Sequence, residues 1–134
     1  MDIVCAENYW PLMPDGVYMA QCIKEDTRFV LGKTRKTFIN FKILDEGKYH
    51  GAVIFMAFNI PYNGRVKSGS KYYKTWSMVN GWKRPSRNTK MSAKLFLNKI
   101  YKIKTRTVKP LLNKKKMPKG FEYSVVDEII EVLL

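Results

Sequence analysis

The residues of this 134-residue chain best suited to chemistry are aromatics set among bases. Phe38, Tyr62 and Trp82 each neighbour a base or stand in a loop. An aromatic face stacks an unpaired nucleobase, worth roughly 1–3 kcal/mol per base, while a nearby cation neutralises the phosphate. Phe41, Phe55, Phe58, Tyr72, Tyr73 and Trp76 have the same capability, with core packing as the default role for each. The bases fall in runs. Arg35 and Lys36 close a basic segment at residues 26–36, and Lys42 shares a strand face with Phe38 and Asn40. Arg65, Lys67, Lys71 and Lys74 surround an expected helix start, and Arg84, Arg87, Lys90 and Lys94 follow that helix. Lys102, Lys104 and Arg106 alternate with apolar or small residues, and Lys114, Lys115 and Lys116 form a run. A lone lysine is ordinarily a solvated surface residue, so the signal lies in the clusters.

Other chemistries fit poorly. Residues 64–71 (GRVKSGSK) approach a phosphate-binding loop, but the required Gly-Lys-Ser/Thr order is reversed at Ser70-Lys71. Pro14-Asp15 with Glu46-Gly47-Lys48 resembles a metal-dependent nuclease signature, but Glu46 belongs to a turn. His50 is the only histidine and has no partner at metal-ligand spacing. No base is placed to activate a Ser or Cys nucleophile. The expectation is a non-enzymatic protein without metal or cofactor.

Charge gives the partner class. Lys and Arg number 25 against 11 Asp and Glu, a formal net of +14. Acids concentrate at the two ends: Asp2, Glu7, Asp15, Glu25 and Asp26 at one, Glu122, Asp127, Glu128 and Glu131 at the other. Residues 27–120 then hold 24 bases and only Asp45 and Glu46. Such segregation marks a phosphate-binding face. The acidic ends are expected away from the groove, or one of them within it as a self-competitor. Cys5 and Cys22 read as reduced thiols of a cytoplasmic protein. No apolar run reaches the ~18 residues of a membrane helix, and the acidic N-terminus does not read as a secretory signal.

The elements that must position these residues follow from periodicity and turn signals. Residues 1–14 read as an arm whose aromatics dock on a single domain of residues 15–134. Strands are expected at 17–25, 36–44 and 52–60, the last stopped by Pro61. On the second, Ile39, Phe41 and Ile43 face a core, and Phe38, Asn40 and Lys42 face out. Ser70 caps a helix over 71–80 that Gly81 ends, and Ser92 caps a second through Asn98. Residues 100–108 form a strand with a basic outer face, residues 109–120 a Lys- and Pro-rich loop. Residues 122–133 read as a last, bulged strand, with a helix as the rival.

Three strands, a helical segment and two strands is the order of a five-stranded OB-like β-barrel, which binds oligonucleotides on its strand 2–3 face and through its strand 1–2 and 4–5 loops. Both of those loops are basic here. On strand order plus these basic and aromatic residues, about residues 15–133 resemble OB-fold single-stranded DNA-binding proteins, especially the compact kind of phages and mobile elements. The resemblance implies binding of single-stranded DNA in replication or recombination with little sequence preference. A second copy of the chain and replication proteins are further partners it allows. The chain ends in Glu131-Val132-Leu133-Leu134, so the flexible acidic tail by which bacterial members recruit partners is not expected. RNA binding by the same barrel is one alternative, since discrimination rests on the 2′-hydroxyl. The other is an interaction protein whose basic face docks an acidic protein.

Overall fold

A computed structural model describes residues 11–30, 34–112, 115–117 and 120–134. Five strands form one antiparallel sheet: β1 (Val17–Val30), β2 (Thr34–Ile43), β3 (Val53–Ile60), β4 (Ile100–Val108) and, last in the chain, β7 (Tyr123–Val132). Their spatial order is β3-β2-β1-β4-β7. One helix, α1 (Lys71–Val79), and a short 3-10 turn (Ala93–Phe96) lie between β3 and β4. A separate two-stranded ribbon joins β5 (Leu111–Leu112) to β6 (Lys115–Lys116).

The long β1 organises the sheet. Its first residues, Val17 to Gln21, pair with β4, and from Ala20 onward it pairs with β2. A register shift between Cys22 and Lys24 separates the two stretches of pairing with β2. An extra residue of this kind bends a strand and increases its twist. Pairing to β2 continues to Val30, so the segment expected as a loop over 26–36 is mostly a strand ribbon. The β-branched and aromatic residues on both sides, Thr27, Phe29, Thr37 and Phe38, suit that ribbon better than a loop.

Alternation fills the core. Ile39, Phe41 and Ile43 of β2 are fully buried, as are Ile54, Met56 and Phe58 of β3 and Tyr101, Ile103 and Thr105 of β4. The rings of Phe41 and Tyr101 meet edge to face at 5.6 Å, and the Tyr101 hydroxyl donates to the Phe96 carbonyl at 2.8 Å. Each such buried side chain contributes about 1.5–3 kcal/mol. The helix forms where expected: the Ser70 hydroxyl accepts from the Tyr73 amide, and Gly81 ends it with φ +74°. It buries Tyr72, Trp76 and Val79 against the sheet. The second helix is shorter than expected. Ser92 caps it, but it is a single 3-10 turn of four residues, because the chain must turn out at Leu97 to enter β4.

The segment expected as a loop over 109–120 contains the β5–β6 ribbon, with Leu111 and Leu112 exposed. The segment expected over 122–133 forms a strand, Tyr123–Val132, not a helix, and pairing to β4 shifts register at two places, as the bulge requires. Before β1, Met13 is buried with the core. Its amide donates to the Ser124 hydroxyl at 2.9 Å, and the Ser124 amide donates to the Pro11 carbonyl. Residues 11–13 therefore strap onto β7. Cys5, Tyr9, Trp10, Gly32, Lys33 and Lys114 lie outside the described residues. No described helix is long and apolar enough to cross a membrane.

Candidate nucleic-acid interface

The outer face of β2 is the one the alternation assigns. Lys36, Phe38, Asn40 and Lys42 point away from the core; Phe38 is half-buried and Lys42 exposed. On β3 the alternation alone left the outer face open. It carries Phe55 and Ala57, since Ile54, Met56 and Phe58 are the buried set. Pairing puts Phe38 opposite Ala57, and Asn40 opposite Phe55. The Phe38 and Phe55 rings meet edge to face at 5.7 Å. The Phe55 ring in turn stacks on Tyr123 of β7 at 6.2 Å, with 28° between planes. From the other side, the Arg28 guanidinium of β1 lies 4.6 Å from the centre of the Phe38 ring. The result is a row running Arg28, Phe38, Phe55, Tyr123 across four strands, with Lys36 and Lys42 on the same face of β2. Arg28 also approaches Asp26 at 3.7 Å, an exposed pair of little energetic weight.

Arg35, one residue from Lys36, faces the opposite side of the ribbon. With Arg65 and Arg87 it lines a cavity of about 690 Å³ beside Lys90, Glu25 and Tyr73. This space lies between the β1–β2 ribbon, the end of β3 and the loop over residues 84–92. Sequence spacing could not show it, because its walls come from separate segments spread over residues 25–93.

The outer face of β4 carries Lys102, Lys104 and Arg106, all exposed as expected. Of the three, Arg106 alone makes an ion pair among the described residues. The acidic C-terminal strand pairs beside β4, with Glu131 opposite Lys102 and Glu128 opposite Lys104. The Arg106 Nε lies 3.1 Å from the Asp127 carboxylate. The acidic end of the chain thus faces the basic strand rather than standing apart from it. Lys71 is engaged there too, its Nζ donating to the Asp127 carbonyl at 2.7 Å.

Tyr62, Lys67 and Arg84 are exposed in the loops flanking α1. Trp82 is 73% exposed and holds a left-handed backbone with φ 62°. It lines a smaller cavity of about 360 Å³ with Lys71, Lys74 and Glu128, between α1 and β7. The helix start offers less to an anion than its loop suggested: the Ser70 hydroxyl donates to the Lys67 carbonyl and accepts the Tyr73 amide.

Of the other aromatics, Phe41, Phe58, Tyr72 and Trp76 are core. Burial pushes the Tyr72 phenol up to about 12 and the Cys22 thiol up to about 11. Cys22 is free and buried. Arg28 enters the sequence reading only as one of the bases of residues 28–116, and Tyr123 not at all. Strand alternation on β1 would have found Arg28 had the strand been carried past Glu25. Tyr123 joins the row only because β7 comes back alongside β3. Comparison with known protein families and with curated proteins yields no match.

Proposed function

We propose that this chain is a non-enzymatic domain that binds single-stranded DNA with little sequence preference, its sheet curled into an OB-like barrel. The observation that carries the reading is the aromatic row Phe38–Phe55–Tyr123 with Arg28, Lys36 and Lys42 around it. Phe38 is the ring of that row on which a base stacks, Phe55 and Tyr123 hold it in place from the far side, and the cations neutralise the backbone. Support for the barrel comes from the strand order, which places the first strand between the second and the fourth. It comes also from the return of β7 to the side of β3, where Phe55 and Tyr123 stack. In such a barrel the strand 2–3 face is the oligonucleotide face, and the row lies there. The β1–β2 ribbon and the β5–β6 ribbon are then the strand 1–2 and 4–5 connections of such a barrel. Handling of replication or recombination intermediates in the cytoplasm is the role that suits this activity.

The test is a fluorescence-anisotropy titration with labelled 20–30-nucleotide single-stranded DNA, duplex DNA and RNA at two salt concentrations. Tight single-strand binding with a steep salt slope is the expected result. Equal affinity for all three would mean charge alone. Preference for RNA would move the assignment to an RNA-binding barrel. No binding at moderate salt would overturn the reading and point to an acidic protein partner.

A further inference from the structure

Four cations line the cavity behind the β1–β2 ribbon, Arg35, Arg65, Arg87 and Lys90, against one acid, Glu25. Among the described residues none of the four makes an ion pair. The Arg35 guanidinium lies beside the Gly64 turn, where a Cβ on Gly64 would stand 3.7 Å from its Nη1. That places it next to Arg65 in the chain's path. The hydroxyls of the walls are largely used up: Thr27 and Thr37 bond each other at 2.7 Å, Ser86 bonds Thr89, and Tyr72 donates to the Met91 carbonyl. The donors left over are the guanidinium forks and the lysine ammonium. Arg65, Arg87 and Lys90 are exposed and Arg35 is half-buried; gathered around one recess without counter-ions, they give it a positive local potential. Guanidinium forks match phosphate oxygens in pairs. A phosphate monoester carries about −1.5 to −2 at neutral pH, against −1 for a phosphodiester inside a strand. The half-buried ring of Tyr73 adds an aromatic wall, and the recess, about 690 Å³ and open to solvent on one side, has room for a nucleotide.

We propose that this cavity is a second site, which takes the phosphorylated terminal nucleotide of a strand. Its phosphate monoester sits on Arg35, Arg65 and Arg87, and its base lies against Tyr73. The end-binding role rests on the single-strand reading above; the capacity to bind a mononucleotide does not. The site lies on the opposite side of the ribbon from Phe38, so the two are separable by mutation.

The test uses the intact chain. Thymidine 5′-monophosphate, thymidine and inorganic phosphate are titrated by calorimetry and by amide chemical-shift mapping. Wild type, Arg87→Ala and Arg35→Gln are compared after thermal melting shows that each variant is folded. Expected are monophosphate binding at least tenfold tighter than thymidine, shifts centred on Tyr73 and residues 84–92, and at least a tenfold loss in either variant. Monophosphate affinity should also fall as pH drops below about 6, where the second phosphate proton returns. Equal affinity in wild type and both variants would overturn the site. Inorganic phosphate binding as tightly as the monophosphate would overturn the nucleotide assignment. A second arm compares oligonucleotides with a 5′-phosphate, a 3′-phosphate or neither. Preference for one phosphorylated end, abolished by Arg87→Ala and retained in Phe38→Ala, supports end binding and identifies the end; no preference overturns it. Failure of the single-strand reading would appear separately, as weak oligonucleotide binding alongside intact monophosphate binding.

Discussion

Phe38 and Phe41 sit three residues apart on β2 and face opposite ways, so truncating each separates binding from folding. Phe41 is fully buried and packs on Tyr101. Phe41→Ala should destabilise by about 3–5 kcal/mol, the usual range for an aromatic removed from a core. Phe38 is half-buried. Its truncation loses one edge-to-face ring pair with Phe55, worth about 0.5–1.5 kcal/mol. It also loses the Arg28 contact at 4.6 Å, worth about 0.5–1 kcal/mol at a partly exposed site. The expected loss of stability is therefore about 1–2.5 kcal/mol, roughly half that of Phe41→Ala. Loss of a stacked base lowers affinity by about 1–3 kcal/mol, which is roughly 5- to 150-fold in Kd. Phe38→Leu keeps apolar bulk without a ring face, and it should retain most of the stability while losing most of the affinity. Urea unfolding gives the first quantity and anisotropy with a single-stranded 25-mer the second. The reasoning fails if Phe38→Ala and Phe38→Leu both bind within twofold of wild type. It fails equally if Phe38→Ala is as destabilising as Phe41→Ala.

Three further outcomes are expected. Lys42→Gln, on the β2 outer face, should reduce the slope of log affinity against log salt by about 0.7, one single-strand phosphate contact; Lys104→Gln, opposite Glu128, should leave the slope unchanged. Stability should fall as pH rises above 9. The Cys22 thiol is raised by burial from 9.0 to about 11 and the Tyr72 phenol, also by burial, from 10.0 to about 12. Between those values the folded chain holds protons that the unfolded chain has released, so unfolding gains as pH climbs. Urea midpoints from pH 7 to 10.5 read this decline, and Cys22→Ala should delay its onset from about pH 9 to about pH 10, the ordinary range of the Tyr72 phenol. Ser70→Ala removes the cap on the Tyr73 amide and should cost about 0.5–2 kcal/mol in urea unfolding without changing oligonucleotide affinity.

Local periodicity was enough for much of this protein. The alternation in residues 36–44 separates Ile39, Phe41 and Ile43 from Phe38, Asn40 and Lys42, and the fold keeps that division. Two-residue periodicity is a property of one extended segment, so no partner strand is needed to read it. The same reasoning located β4 with its basic outer face, and Ser70 and Gly81 as the ends of α1. Charge counting along the chain identified a cationic centre between acidic ends.

Pairing decided the rest, because which strands become neighbours depends on contacts far apart in the chain. Whether Lys102, Lys104 and Arg106 present bare charge depends on what lies beside β4, and β7 brings Glu131, Glu128 and Asp127 there. Whether Phe55 is core or surface depended on the side β3 turns to the core, and Tyr123 meets it only because the last strand returns alongside the third. Arg35 and Arg87, 52 positions apart, share a cavity because the ribbon extends past Glu25 and the loop after α1 lies across from it. The residue types alone determined a basic, mainly β chain with aromatics to spare; the tertiary structure decided which cations stand beside acids and which rings line the outer face of the sheet, since both are set by neighbours that no local pattern contains.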